Sequence, residues 1–336
     1  MKKQILILIP ILIFAAGCIP EESPIDPYDR GDITTNTISL GNEYKVQVYY
    51  DLNSNSVVKQ NPYDIWDLGF DCRPDSFYVI LNTANFSKVY ITDESDLESI
   101  NEAPDADSLY RFDSPAGFSD STAIQKWWKE ENGELISKDI VYIIDLGIDS
   151  DGFEKGYKKF KLSFDDNGDY IITFADMDGS NKQTQTIEKD QNKNFVNFSF
   201  ETGEVLKLEP DKTRWDLLFS KHSEMVEYND PSLGFEPYSV VSALLNTRYV
   251  RAAQLKTDKE FSEITLEDTD TLDFSRRRNI IGHDWKYYDF DQGYVVHPDK
   301  YYIVQDVEGF YYKLHFIEYY NESGEKGYPE FEFKKL

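Results

Sequence analysis

Trp66-Asp67-Leu68-Gly69-Phe70 is read a second time as Trp215-Asp216-Leu217-Leu218-Phe219. Large apolar residues stand at alternate positions in both copies, the period of a β-strand. Further landmarks recur in the same order around them. Upstream of each copy lies a hairpin pattern: VQVYYDLNSNSVVK ends at Lys59, and NFSFETGEVLK ends at Lys207. Downstream, Leu81-Asn82-Thr83 returns as Leu245-Asn246-Thr247. Later still, Phe160-Lys161-Leu162-Ser163-Phe164 is matched by Tyr312-Lys313-Leu314-His315-Phe316. Self-similarity on this scale marks a duplicated structural unit. The expected fold is all-β: two tandem, related antiparallel units at residues 37–180 and 191–336. The polar stretch from Gly179 to Lys193 is expected to separate them.

Within each unit the pattern predicts hairpins, a closing meander and few short helices. Trp66, Leu68 and Phe70 are expected on one core-facing side of a strand, and Trp215, Leu217 and Phe219 repeat that face. Asp67 and Asp216 read as hydrogen-bond partners of nearby backbone or turn groups. The meanders begin at Tyr142-Ile143-Ile144 and at Tyr301-Tyr302-Ile303-Val304. The one helix candidate is Ser121 to Glu131, where Ser121 can cap and Ile124, Trp127 and Trp128 recur at helical spacing. Residues 93–120 and 258–282 are expected as surface excursions. Between its tryptophan motif and its Asn-Thr landmark the second unit carries about fifteen extra residues. That region includes His222, Met225, Tyr228, Pro231, Phe235 and Tyr238.

The N-terminus points to export. Lys2 and Lys3 precede the apolar run Ile5 to Phe14, followed by Ala15-Ala16-Gly17-Cys18, the parts of a signal peptide over residues 1–17. The run is too short for a comfortable membrane span. It resembles a bacterial lipobox, which implies cleavage before Cys18, lipidation of that cysteine, and anchoring in outer-membrane lipid. Glu21 and Glu22 resemble the tag that carries Bacteroidetes lipoproteins to the cell exterior. Residues 18–36, rich in proline and acids, read as a lipidated tether. Cys72 is then the only remaining cysteine, so the mature chain forms no internal disulfide and depends on its hydrophobic cores. The formal charge is -27, and about -29 without Lys2 and Lys3. Such a surface repels phosphate backbones, which excludes nucleic acid as a partner. With 24 Tyr, 22 Phe and 5 Trp the chain has ample core material, so disorder is excluded too.

Three segments resemble the HmuY-like family of haem-binding lipoproteins from Bacteroidetes. They are RWDLLFSKHS (214–223) after the FETGEVLKL hairpin, Trp285 to Tyr288, and the closing YIVQDVEGFYYKLHFIEYYNESGEKGYPEFEF (302–333). The resemblance implies a mostly β protein whose hairpins grip haem through two axial His or Met ligands. It also implies haem scavenging or carriage, with haem or a host haemoprotein as partner. Family members are usually built from one such unit, and this chain has two. It also lacks the glycine-rich segment that commonly follows the positions of Asn82 and Asn246.

A haem site needs an apolar slot and soft or borderline ligands for iron. The first unit has no histidine, and its only methionine is Met177. All four histidines and Met225 fall in the second, where His222, Met225 and His283 are the candidate haem ligands. His297 and His315 are expected at exposed or polar-face positions. No HExxH, CxxC, Walker or Rossmann pattern is present, so no enzymatic reading is supported. The acidic runs Asp145 to Asp151 and Asp165 to Asp169 could attract calcium but lack the full spaced ligand set of an EF-hand. The competing reading is a glycan- or protein-binding surface module using Trp127, Trp128 and the tyrosine pairs 287–288, 301–302 and 319–320.

Overall fold

The computed structural model describes residues 31–227, 232 and 234–336. The signal peptide, Cys18, most of the expected tether, Tyr228 and Pro231 lie outside the described residues. From the N-terminus run β1 (Thr34–Thr37), the hairpin β2 (Val46–Asp51) and β3 (Ser56–Pro62), then β4 (Leu68–Asp71), β5 (Val79–Leu81) and β6 (Lys88–Ile91). A small hairpin, β7 (Trp128–Glu131) and β8 (Glu134–Ser137), precedes the meander β9 (Tyr142–Asp145), β10 (Tyr157–Phe164) and β11 (Tyr170–Ala175). The order then repeats. β12 (Gln183–Ile187), β13 (Phe195–Phe198) and β14 (Val205–Leu206) lead into β15 (Leu217–Glu227), β16 (Phe235–Leu245) and β17 (Arg251–Leu255). The hairpin β18 (Lys286–Asp289) and β19 (Gly293–Val296) precedes β20 (Tyr301–Gln305), β21 (Tyr311–Tyr320) and β22 (Lys326–Lys335). The remaining regular structure is short 3-10 turns, and the all-β expectation holds.

The sheets do not divide the chain where its sequence repeats. One core lies between the sheets β12-β11-β10-β9-β6 and β14-β13-β4-β5. The other lies between β1-β22-β21-β20-β17 and β16-β15-β2-β3. Thus β13 and β14, which open the second repeat, complete the first core together with β12 from the stretch between the repeats. Conversely β1, β2 and β3, which open the first repeat, complete the second core. Phe198 pairs with Leu68, while Tyr50 pairs with Leu217. The first core is therefore continuous in sequence, but the second joins the two ends of the described chain. Edge strands explain the exchange, because an unpaired edge accepts whichever matching hairpin lies in reach.

Two expected non-strand segments take part in these sheets. Gly179 to Lys193 contains β12, whose Gln-Thr-Gln-Thr-Ile run pairs along β11. Thr34 to Asn36, placed in the tether by sequence, belong to β1 and pair with β22. Both segments are rich in Thr, whose β-branched side chain suits an edge.

Each tryptophan motif is tied down by the same set of bonds. The Asp67 amide donates to the Phe198 carbonyl and the Asp216 amide to that of Tyr50, both at 2.8 Å. Asn82 donates its side-chain amide to the carbonyls of Tyr63 and Trp66, and Asn246 to those of Lys212 and Trp215. These bonds give the Leu-Asn-Thr landmark its role, closing the strand end onto the turn before the tryptophan. Leu68 and Phe70 enter the first core, Leu217 and Phe219 the second. The tryptophans do not share that face. Trp215 packs with Tyr49, Leu218 and Leu244, and the Trp66 ring lies 3.5 Å from where a Cβ on Gly69 would stand. Each tryptophan precedes its strand by two residues, so the strict alternation of the ladder has not begun there.

Three other expectations are corrected. Ser121 to Glu131 is not an α-helix: Gln125 takes φ +61°, which ends any helical run, and Trp128 opens β7. Asn132-Gly133, with φ of 54° and 83°, turns that strand back into β8, and this Asn-Gly pair is a hairpin signal legible in the sequence. The meander copies align two residues away from the sequence match. Lys159, opposite Ile143, is the counterpart of Lys313, opposite Ile303. Both lysines are buried and cap short turns, Lys159 donating to the Ile100 carbonyl and Lys313 to those of Phe261, Ser262 and Ile264. The excursions 93–120 and 258–282 are thus lids as well as surface, burying Leu97, Asp113, Phe261, Ile264 and Ile281.

Candidate functional site

The extra residues of the second repeat lengthen a hairpin. β4 and β5 pair over three rungs, Leu68–Leu81 to Phe70–Val79. β15 and β16 run 11 residues each, from Leu217–Leu245 to Glu227–Phe235. Beyond Phe219 this hairpin leaves its own core and crosses onto the first repeat. Lys221 donates to the Tyr63 hydroxyl at 3.0 Å, and Ser223 donates to the Thr83 carbonyl at 2.7 Å.

Residues directly opposite on a hairpin share a face. Met225 with Pro237 and Glu227 with Phe235 lie on one face; His222 with Val240 and Glu224 with Tyr238 lie on the other. The β18–β19 hairpin meets this hairpin along β16, next to Val241, whose side chain shares the second core with Trp285. Lys286 donates to the Val241 carbonyl at 2.9 Å, with its ammonium 4.1 Å from the Trp285 ring centre. Burial pushes that ammonium down to about 7. Tyr238 and Tyr294 are near enough to interact electrostatically.

The two hairpins expose an aromatic surface. Tyr288 packs edge-on against Phe290 and Tyr294, and Tyr287 lies tilted against His297 at 4.8 Å. Phe290 is 96% exposed, and Tyr287, Tyr288 and Tyr238 are exposed as well; Phe235, also exposed, stands on the Met225 face of its hairpin. Such a concentration of exposed rings exceeds the scattered apolar residues of an ordinary surface. Of the other aromatics singled out from sequence, Trp127, Tyr301, Tyr302 and Tyr319 are buried core residues. His297 is half-buried, and His315 is held by Glu332 at 3.0 Å beneath Phe261.

The three candidate ligands divide between the two faces. Met225 is 43% exposed, on the hairpin face opposite His222 and Tyr238. His222 is 1% exposed, with Nδ1 3.0 Å from the Thr83 hydroxyl and Nε2 buried without a partner. Burial, then the charge of Arg278, holds its imidazole down to about 3, so the ring is neutral. His283 is half-buried, lowered first by burial and then by Lys286. The two imidazoles are close enough for their charges to repel. Hence His222 and His283 lie within electrostatic reach of each other, while Met225 projects from the opposite face of its strand. Among the described residues no group of three or more His, Cys, Asp or Glu is placed to hold a metal ion. Asp149 and Asp165, from the acidic runs, accept backbone amides of their own turns. Among the described residues no helix is long and apolar enough to cross a membrane.

The model of the HmuY protein family matches residues 43–192 and again 191–333. Together these segments span nearly the whole chain, and the chain belongs to that family, whose members are binding proteins rather than enzymes. No curated protein shows significant similarity to it. Among solved structures it is similar to the apo HmuY analogue of Tannerella forsythia, at 9% identity over 92% of this chain and 98% of that one, with a TM-score of 0.24. Apo PinO from Porphyromonas gingivitis is also similar, at 9% identity over 91% of this chain and 98% of that one, with a TM-score of 0.23.

Proposed function

We propose that this member of the HmuY family is a haem-binding lipoprotein, held at the outer face of the outer membrane through Cys18. The ligand is received by the aromatic face that β15–β16 and β18–β19 build together. The observation that carries this reading is the exposed ring cluster from Tyr238 to Phe290 beside two neutral imidazoles. Flat apolar ligands gain from such ring surfaces, and iron takes neutral imidazole nitrogen. The residues fit the group in one further respect: the His222 Nε2 is an orphaned buried nitrogen, and its Nδ1 is oriented by Thr83. His283 is the accessible member of the pair and is assigned the first contact with iron, with His222 as second ligand. Met225, on the opposite hairpin face, is assigned no role with these two.

Titrating the purified domain from residue 31 onward with haemin tests this. The expected outcome is a shifted Soret band that changes in His283→Ala. A spectrum identical to free haemin would remove the haem assignment. The 96% exposure of Phe290 favours a second reading, stacking against sugar rings, for which glycan binding abolished by Phe290→Ala is the corresponding result.

A further inference from the structure

A second recess lies where the two repeats meet, and it shares no residue with the aromatic face. At its edge the fully buried Asp71 carboxylate receives Arg73 at 2.7 Å and Arg248 at 2.8 Å. Arg73 follows β4 of the first repeat, and Arg248 follows Asn246 of the second. Burial alone would raise the Asp71 carboxyl, but the Arg73 hydrogen bond and the Arg248 charge outweigh it and hold it low. The cleft beside these residues has a volume of about 470 Å³. Its walls carry Arg73, Arg248, Arg276, Lys193 and Lys212, with Asp71 the sole acidic lining residue. In a chain of 62 acidic and 35 basic residues this is a local reversal of sign.

The cations are not all used by the fold. Asp71 is shared by two guanidinium groups, and Lys193 pairs with Asp211 at 2.7 Å. Among the described residues Lys212 meets no carboxylate, and neither does Arg276, which gives one N–H to the Arg248 carbonyl. The cleft also offers flat apolar walls in Phe118 and in Phe195, the latter 4.7 Å beneath the Arg248 guanidinium. Deeper in, a narrow cavity of about 80 Å³ shares Ile80, Gly117, Phe118, Phe195 and Thr247 with the cleft. Trp66 Nε1, Thr122 Oγ1 and Asn194 Oδ1 line it, all buried and all without a hydrogen-bond partner. Buried polar atoms without partners cost stability, so a polar cavity at the foot of a cationic cleft, lined also by Asp113, Glu209 and Arg278, marks a place built to be occupied.

We propose that this cleft binds a small organic anion bearing two or more carboxylate or phosphate groups. Its charged groups are met by Lys212, Arg276 and the outer face of Arg73, its frame by Phe118 and Phe195, and a polar end by the Trp66 N–H. Size selects the class. A volume of this order suits a small molecule, while the field of the surrounding acidic surface rejects an extended polyanion.

Isothermal titration of the domain from residue 31 onward, in low-salt chloride buffer, tests the assignment with citrate and with pyrophosphate as probes. One site is expected for at least one probe, with a Kd on the order of 1 mM or tighter. The probe that binds identifies carboxylate or phosphate as the preferred group. Lys212→Glu combined with Arg276→Glu should weaken binding at least about tenfold, as loss of charge-assisted contacts requires. Its near-UV circular dichroism should be unchanged, because neither side chain is buried. Lys300→Glu, outside the cleft, should bind as the parent does. Absence of binding by both probes, or equal binding by the double variant, overturns the proposal. Neither result bears on haem, whose face lies elsewhere.

Discussion

Asp67 and Asp216 occupy matching points of the two cores, yet only Asp67 meets a cation. Both are fully buried, and both accept an amide from the hairpin that the exchange brings in: Phe200 for Asp67, Leu52 for Asp216. The second partner differs. Asp67 takes the Lys155 ammonium at 2.6 Å, whereas Asp216 takes the Val307 amide at 2.9 Å and lies near Asp306. Burial, with Asp306 adding to it, pushes the Asp216 carboxyl up to about 8. Burial raises the Asp67 carboxyl too, but there the Lys155 charge and hydrogen bond oppose it, so one sequence motif serves two electrostatic designs: an acid facing a cation in the first core and an acid beside a second acid in the second.

The most severe test of the comparison cuts the chain. A fragment of residues 64–209 contains the whole first core and should give dispersed amide NMR signals. Residues 191–336 lack Ile38, Leu40, Val48, Tyr50 and Leu52 of the second core and should not fold. Equal folding of both fragments would mean that the exchanged strands are dispensable. Next in size, Asp67→Ala strands the Lys155 ammonium and the Phe200 amide, and should cost about 3–5 kcal/mol in urea unfolding. Smaller is Gly69→Ala, whose Cβ would stand 2.7 Å from Ile80 and beside Trp66; about 1–3 kcal/mol is expected from overpacking. The second repeat has Leu218 at that point and makes room for it.

The finest distinction is in pH. A carboxyl raised from its ordinary value to about 8 retains a proton in the folded chain that the unfolded chain has released. Its contribution is complete below the unfolded value and drains away as pH rises toward and through 8. Between pH 5 and 7 it should impose a slope of about 1.4 kcal/mol per pH unit, lost in Asp216→Asn. Glu209 and Asp113, raised by burial to about 7 and 6, act in the same direction and remain in that variant. His222 acts oppositely. Lowered to about 3, it contributes fully above its unfolded value, and that contribution fades as pH falls toward and through 3. His222→Leu should therefore flatten the acid side of the stability profile measured between pH 4 and 6.5.

The long hairpin shows how much of the candidate site was legible. Its extra residues, and the His and Met among them, stand out once the two repeats are laid together. What that comparison lacks is the face each side chain takes, since three residues along a strand separate His222 from Met225. His222 looks like any strand histidine in sequence; its burial comes from Thr83, 139 residues away. The basic cleft left no local signal at all. Its cations are scattered from Arg73 to Arg276 and are outnumbered by acids in the composition.

Taken alone, the sequence determined the duplication, the β character and the anchor points of each motif, because alternation, turn chemistry and the Asp and Asn landmarks are local. Tertiary structure alone decided which hairpin completes which core. The two copies present nearly the same edge and the same apolar face, so local preference cannot tell partner from self, and only packing the whole chain resolves the choice.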